Sequence, residues 1–292
     1  MNHSFCNGNN GSRDKRLVSI VVPVYNEEPN IRPLYSTIQQ ATEGLGPCEQ
    51  VYVDDGSRDN TFALLKEIQR TDPQVKVVRL SRNFGQTAAL AAGICHACGE
   101  IVITLDGDLQ NDPADIPKLI AKLDEGYDLV NGWRIKRLDR FISRRLPSIL
   151  ANWLISSVTK VKLHDYGCTL KAYRGETARA LSLYGEMHRF IPVLAADLGA
   201  RITEIAVNHR ERQHGSSKYG ISRTIRVILD LITVKFLTSY WTRPLHVFGF
   251  VGILATGAGL SLTGYLTLQK LLFGETLANR PILLLGILLI VV

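Results

Sequence analysis

The stretch IVITLDGDLQNDP, residues 101–113, decides how the chain is read. An apolar run closed by a polar cluster reads as a strand that ends at a loop. The loop opens Asp106-Gly107-Asp108-Leu109-Gln110. Two carboxylates two residues apart can converge on one divalent ion when the residue between them turns. Mg²⁺ takes one or two carboxylates and completes its shell with water and phosphates, and Mn²⁺ accepts the same oxygen donors. Asp106, Asp108 and Gln110, the last through its carbonyl, are therefore the candidate metal ligands. The same grammar recurs earlier in the chain. Leu17–Val22 runs into Tyr25-Asn26-Glu27, and Gln50–Val53 runs into Asp54-Asp55-Gly56-Ser57. An acid such as Asp55 can accept hydrogen bonds from a base imide or a ribose hydroxyl, while Ser57 or Asp59 can cap the next helix. Val75–Leu80 and Asp128–Asn131 complete the predicted strands. Helical patterns lie between them, near Pro29–Thr42, Asn60–Thr71, Gln86–Cys98 and Pro113–Glu125. Strands alternating with helices predict an α/β fold with a mostly parallel sheet, whose ligands sit beyond the carboxyl ends of the strands.

The wider composition narrows the function classes. The 292 residues are 46% hydrophobic and 21% charged, too apolar for a disordered chain. A surplus of 34 Lys and Arg over 27 Asp and Glu gives +7 and suits anionic partners. No G-x-x-x-x-G-K-[ST] occurs, and no G-x-G-x-x-G follows the first strand, which argues against a P-loop NTPase and a dinucleotide fold. Leu245–Gln269 holds no charged residue and is long enough to span a bilayer as a helix. A second apolar run, Pro281–Val292, is too short to cross and reads as an incomplete span. Arg223, Arg226, Lys235 and Arg243 precede the first span, which places residues 1–243 in the cytoplasm. Residues 1–16 read as a polar, disordered tail with no secretory signal. Basic residues mixed with apolar ones, at 134–158 and 221–243, suit helices lying on an anionic membrane and make nucleic acid a poor partner. Cys95 and Cys98 form a C-x-x-C inside a helical pattern and read as packing residues.

Six segments in order carry a resemblance: VPVYNEE (22–28), VDDGSRD (53–59), LSRNFGQ (80–86), LDGDLQNDP (105–113), DYGCTLKAYR (165–174) and ERQHGSSKYG (211–220). Together with the C-terminal apolar segment they resemble family 2 glycosyltransferases. More narrowly they are similar to the polyprenyl-phosphate glycosyltransferases: bacterial glucosyl and aminoarabinose transferases and dolichyl-phosphate mannose synthases. The resemblance implies a GT-A fold, Rossmann-like, over residues 17–220. It is followed by amphipathic helices at 221–243 and a multi-pass transmembrane region at 244–292 in a bacterial inner membrane. It implies that Pro23, Tyr25, Glu27, Asp55 and Asp106 line the donor-nucleotide pocket, and that Asp106, Asp108 and Gln110 hold Mg²⁺ or Mn²⁺. It places Arg134, Arg144 and Ser148 at the acceptor phosphate and Asp165 beside the acceptor. Arg212 and Lys218 would act from a loop over the diphosphate, with Asp108 and Asp165 as the other catalytic residues. A homo-oligomer, up to a tetramer, is implied as well. Gly107 departs from the usual Ala, a change expected to be harmless.

The implied partners are a nucleotide-sugar donor and a polyprenyl-phosphate lipid. The expected reaction is inverting transfer of a hexose to undecaprenyl phosphate, with glucose from UDP-glucose as the first expectation. It rests on the DYGCTLKAYR and GWR segments. GDP-mannose, a UDP-aminoarabinose-type pentose, and a non-catalytic nucleotide-binding adaptor are the alternatives. A phosphate monoester is largely dianionic at neutral pH, so it is a nucleophile without a strong base. Asp165 is then expected to orient groups near the acceptor. Asp165→Asn should leave measurable transfer while Asp108→Asn loses nearly all of it, and equal collapse in a transfer assay would refute this division of roles.

Overall fold

The computed structural model describes residues 16–135, 156, 159, 161–210, 229–236, 240, 244–274 and 281–291. The chain divides into two compact units between Val234 and Lys235. The first holds one seven-stranded sheet. Its strands are β1 (Val18–Val24), β2 (Cys48–Asp54), β3 (Val75–Arg79), β4 (Ile101–Thr104), β5 (Leu129–Trp133), β6 (Lys171–Arg174) and β7 (Ile202–Ala206). They lie in the order β3-β2-β1-β4-β6-β5-β7. All neighbours are parallel except β6, which runs antiparallel between β4 and β5.

Helices cover both faces. They are α1 (Glu28–Thr42), α2 (Thr61–Thr71), α3 (Gln86–His96), α4 (Ile116–Asp124), α5 (Gly175–Ala180) and α6 (Ile191–Asp197). The period-two alternation of the strands sorts the core into two layers. Ile20, Val22 and Val24 of β1 pack with Ile31, Leu34 and Ile38 of α1, Leu65 of α2 and Leu119 of α4. Val21 faces the other way, with Ala89, Leu90 and Ile94 of α3 and Ile191 of α6. Because β1, β2 and β4 are adjacent and parallel, the loops that follow them open at one edge of the sheet, and there the acidic clusters meet.

The predicted strands and helices are present with shifted ends. Two strands, β6 and β7, did not stand out in the sequence. The reason is physical: β6 reads KAYR, with charged residues at both ends, yet Lys171 is buried and Tyr173 is fully enclosed. Arg16, placed in the tail by composition, is tied to Asp124 by two contacts of 2.5 and 2.6 Å. Cys95 is an exposed free thiol near the end of α3, not a packing residue.

In the second unit, α7 (Pro244–Phe273) has 30 residues and a mean hydropathy of 1.7 over its most apolar window. At the helical rise it is about 45 Å long, enough to cross a bilayer. Against it packs α8 (Pro281–Val291). The crossing is close because two glycines face each other: a Cβ on Gly259 would lie 2.6 Å from the Gly286 carbonyl oxygen. Among the described residues α7 alone is long and apolar enough to span, so the structure does not support the expected multi-pass arrangement. Residues 229–236 are helical, with Leu229 and Ile232 exposed. The rest of the expected basic helices lies outside the described residues.

The fit of α3 on the sheet depends on Gly93. A Cβ there would lie 2.3 Å from Val21 Cγ1 and 3.0 Å from Val53 Cγ2, both on fully buried side chains. Gly93→Ala gains helix propensity but overpacks the layer. The expected net loss is about 2 kcal/mol in a denaturant-unfolding experiment.

Candidate active site

Two loops at the carboxyl edge are laced together. Asn26 sits in the left-handed region at φ 54°, a conformation that Asn tolerates better than most residues. Its amide donates to Ser57 Oγ at 2.9 Å, and its Oδ1 accepts from the Arg58 amide at 2.8 Å. The Glu27 amide donates to Thr61 Oγ1 at 2.9 Å, and Glu27 Oε2 accepts from Asn30 Nδ2 at 2.6 Å. Asp59 serves the helices, accepting from the Glu28 and Thr61 amides. Pro23, at the end of β1, and Tyr25, just after it, are half-buried at this edge.

Asp55 is nearly enclosed, and both its carboxylate oxygens are engaged. Oδ1 accepts from the Phe84 amide at 2.8 Å and Oδ2 from the Gly85 amide at 2.9 Å. It thus pins the loop that leads into α3. The approach requires Gly56, which has φ +73° and would carry a Cβ only 2.6 Å from the Arg82 carbonyl carbon.

The acidic loop after β4 lies next to this. Asp106 Oδ1 accepts from Gln86 Nε2 at 2.7 Å, and Oδ2 accepts from Thr169 Oγ1 at 2.5 Å. Burial and the neighbouring Asp108 carboxylate raise the Asp106 pKa to about 6, against the pull of the Thr169 hydroxyl, Arg134 and Lys171. Asp108 is buried, and its Oδ1 accepts from the Gln110 amide at 3.2 Å. Leu109 between them has φ 59°, a left-handed conformation costing a Cβ-bearing residue about 1–2 kcal/mol. Glycine suits position 107, since an added Cβ would press within 2.7 Å of Val24 Cγ1. Among the described residues no three His, Cys, Asp or Glu side chains are grouped to share a metal.

Arg134 and Asp165, each expected on the acceptor side, are joined in the structure. Arg134 Nε donates to Asp165 Oδ2 at 2.7 Å and Nη2 donates to Oδ1 at 3.0 Å. Burial opposes the Arg134 charge, but the bonds and charge of Asp165 outweigh it and raise the guanidinium pKa. Two of the guanidinium's donors therefore serve the protein, not a ligand. Breaking such a buried pair costs about 3–5 kcal/mol, so substitutions at Asp165 carry a stability loss separate from chemistry. Arg144, Ser148, Arg212 and Lys218 lie outside the described residues.

Sequence reasoning missed four side chains here. Gln86 and Thr169 hold Asp106. Asn111 Nδ2 donates to Thr169 Oγ1 at 3.0 Å. Lys171 is buried and donates to the carbonyls of Cys168 and Tyr166. Burial lowers its pKa to about 8. All four stand within or beside the quoted segments, but nothing in one dimension brings β6 between β4 and β5.

The family profile described as Glycosyl transferase family 2 matches residues 19–181. Dodecaprenyl-phosphate galacturonate synthase of Rhizobium johnstonii is 44% identical over 97% of this chain and 85% of its own length. Undecaprenyl-phosphate 4-deoxy-4-formamido-L-arabinose transferase of Edwardsiella ictaluri is 41% identical over 91% of this chain and 81% of its own. Among solved structures, glucosyl-3-phosphoglycerate synthase of Mycobacterium tuberculosis, in complex with Mn²⁺, UDP and phosphoglyceric acid, superposes with a TM-score of 0.59. That match covers 76% of this chain and 78% of the other at 20% identity, a likeness of fold. A sheet that opens paired acids at its carboxyl edge, matched over most of its length by named sugar transferases, makes this chain a member of glycosyltransferase family 2.

Proposed function

We propose that the chain transfers a sugar of the galacto configuration, galacturonate or a 4-substituted L-arabinose, from a uridine-diphosphate donor to a polyprenyl phosphate at the cytoplasmic face of a membrane. One observation carries it: 44% identity with the dodecaprenyl-phosphate galacturonate synthase extends across 97% of the chain. The sugars named in the two relatives share a stereochemistry. L-Arabinopyranose has the ring configuration of D-galactopyranose without the substituent at C5, and both carry an axial group at C4. Glucose carries that group equatorially. The first expectation, glucose from UDP-glucose, therefore gives way to the pentose alternative and its uronic-acid counterpart.

The residues fit a hard divalent cation. Asp106 and Asp108 supply carboxylate oxygens, the second close enough to help raise the proton affinity of the first, and Gln110 adds an amide. Such a pair is relieved by Mg²⁺ or Mn²⁺, and the solved neighbour's Mn²⁺ and UDP accord with it. When bound, the ion would stabilise charge building on the leaving diphosphate. This chain's own residues do the rest. Asp55 fixes the loop beside the nucleotide pocket. Gln86 and Thr169 orient Asp106. Asp165, committed to Arg134, acts by holding a cationic side chain near the acceptor phosphate, which needs no base to attack. One displacement inverts the anomeric carbon. The apolar α7 supports membrane attachment through one span. A homo-oligomer belongs to the same proposal.

The test is transfer of radiolabelled sugar to undecaprenyl phosphate from UDP-galacturonate, UDP-4-deoxy-4-formamido-L-arabinose, UDP-glucose and GDP-mannose, each with Mn²⁺ and with chelator. Label should enter lipid from a galacto-configured donor, only with metal, and vanish in Asp108→Asn. Transfer from UDP-glucose or GDP-mannose alone would overturn the sugar assignment. Metal-dependent UDP binding without transfer from any donor would favour the adaptor.

A further inference from the structure

The loop that carries Asp108 and Gln110 is not held by its own bonds alone. Leu109 is left-handed, and a strained residue persists only where its surroundings over-determine it. Those surroundings come from residues 207–210, which continue from β7. Asn111 and His209 form an isolated antiparallel bridge. The Arg210 amide donates to the Gln110 carbonyl at 2.8 Å, and Arg210 Nη2 donates to Asp112 Oδ2 at 2.7 Å. The deepest tie is Asp115, whose side chain is fully buried. Its Oδ2 accepts from the Asn208 amide at 2.6 Å. Its Oδ1 accepts from Asn208 Nδ2 at 3.2 Å and from Lys118 Nζ at 2.6 Å.

We infer that Asp115 is a positioning residue for the metal-binding loop: by locking residues 207–210 onto Gln110–Asp115 it fixes the backbone from which Asp108 and Gln110 extend. The inference rests on the proposed role of Asp106 and Asp108 as metal ligands. An apolar side chain would fill this space without the cost of burying a charge. A carboxylate adds directed bonds to one residue of a distant segment. From there the tie passes inward, since Asn111 donates to Thr169 and Thr169 donates to Asp106.

The experiment titrates Mn²⁺ into full-length protein in detergent with UDP present, reading bound metal by electron paramagnetic resonance, and records thermal stability alongside. Asp115→Ala should weaken Mn²⁺ binding about tenfold, the usual scale for a residue that orients a ligand, and excess Mn²⁺ should restore transfer. Asp115→Asn, which keeps the shape and one acceptor, should fall between. Glu49→Ala is the control for a merely structural acid. Glu49 is buried near the start of β2, away from the site, and binds Ser19 Oγ, the Cys98 amide and Lys76 Nζ at 2.5, 2.7 and 2.6 Å. It should lose stability and keep its Mn²⁺ affinity. Unchanged Mn²⁺ affinity in Asp115→Ala, or an equal loss in Glu49→Ala, would overturn the inference. Failure of the unaltered protein to bind Mn²⁺ would overturn the proposed metal site itself, and this inference with it.

Discussion

Three carboxylates concentrated at one edge of a sheet must be compensated where water is scarce. Asp106, Asp108 and Asp165 meet this constraint with Arg134, Lys171 and a set of neutral donors. The compensation is incomplete by design of the charges: Asp106 still feels Asp108, and its proton affinity rises. An isolated buried anion would cost far more than folding can supply. The raised proton affinity of Asp106 is the mark of that incomplete compensation. The nearby backbone is arranged to keep that carboxylate in place. Gly56 lets the Arg82–Asn83 backbone close in, Asp55 pins the next turn, and Gln86 at the head of α3 reaches Asp106.

Much of the fold could be read from the sequence because it obeys two simple patterns. In β1, β2 and β4 apolar runs stop abruptly at polar clusters, and in a parallel sheet those stops fall on one edge. The gathering of those acids at one edge was therefore legible in the sequence. The strand β6 hides for the opposite reason. Its lysine is buried, so its polarity misreports its place. Everything that depends on β6 was equally hidden: Thr169 on Asp106, Lys171 under the turn, and the meeting of Arg134 with Asp165. Composition announces a charge, but only the antiparallel insertion says which opposite charge it meets.

The comparisons and the geometry bear on different halves of the reaction. The paired acids beside engaged loop donors carry the proposed handling of a diphosphate leaving group, whatever sugar it bears. The proposed sugar and lipid phosphate rest instead on the likeness to the relatives. The second unit speaks to the lipid's surroundings. Its long helix is apolar on all sides, and its close crossing with α8 needs no side chain at Gly259 or Gly286.

The position of β6 also bears on how the chain is made. On a ribosome β4 is complete at Thr104, but the strand that covers its free edge does not begin until Lys171. Until then β4 offers unpaired backbone donors and acceptors to any extended peptide nearby. The half-built sheet is therefore sticky during the synthesis of the whole Asp106–Leu170 interval, the interval that carries most of the acidic site. Slower translation there would lengthen that exposure, and a nascent chain held by a chaperone until β6 emerges would be protected. The strand that follows Thr169 and carries Lys171 to the acidic edge is also the one that seals the sheet.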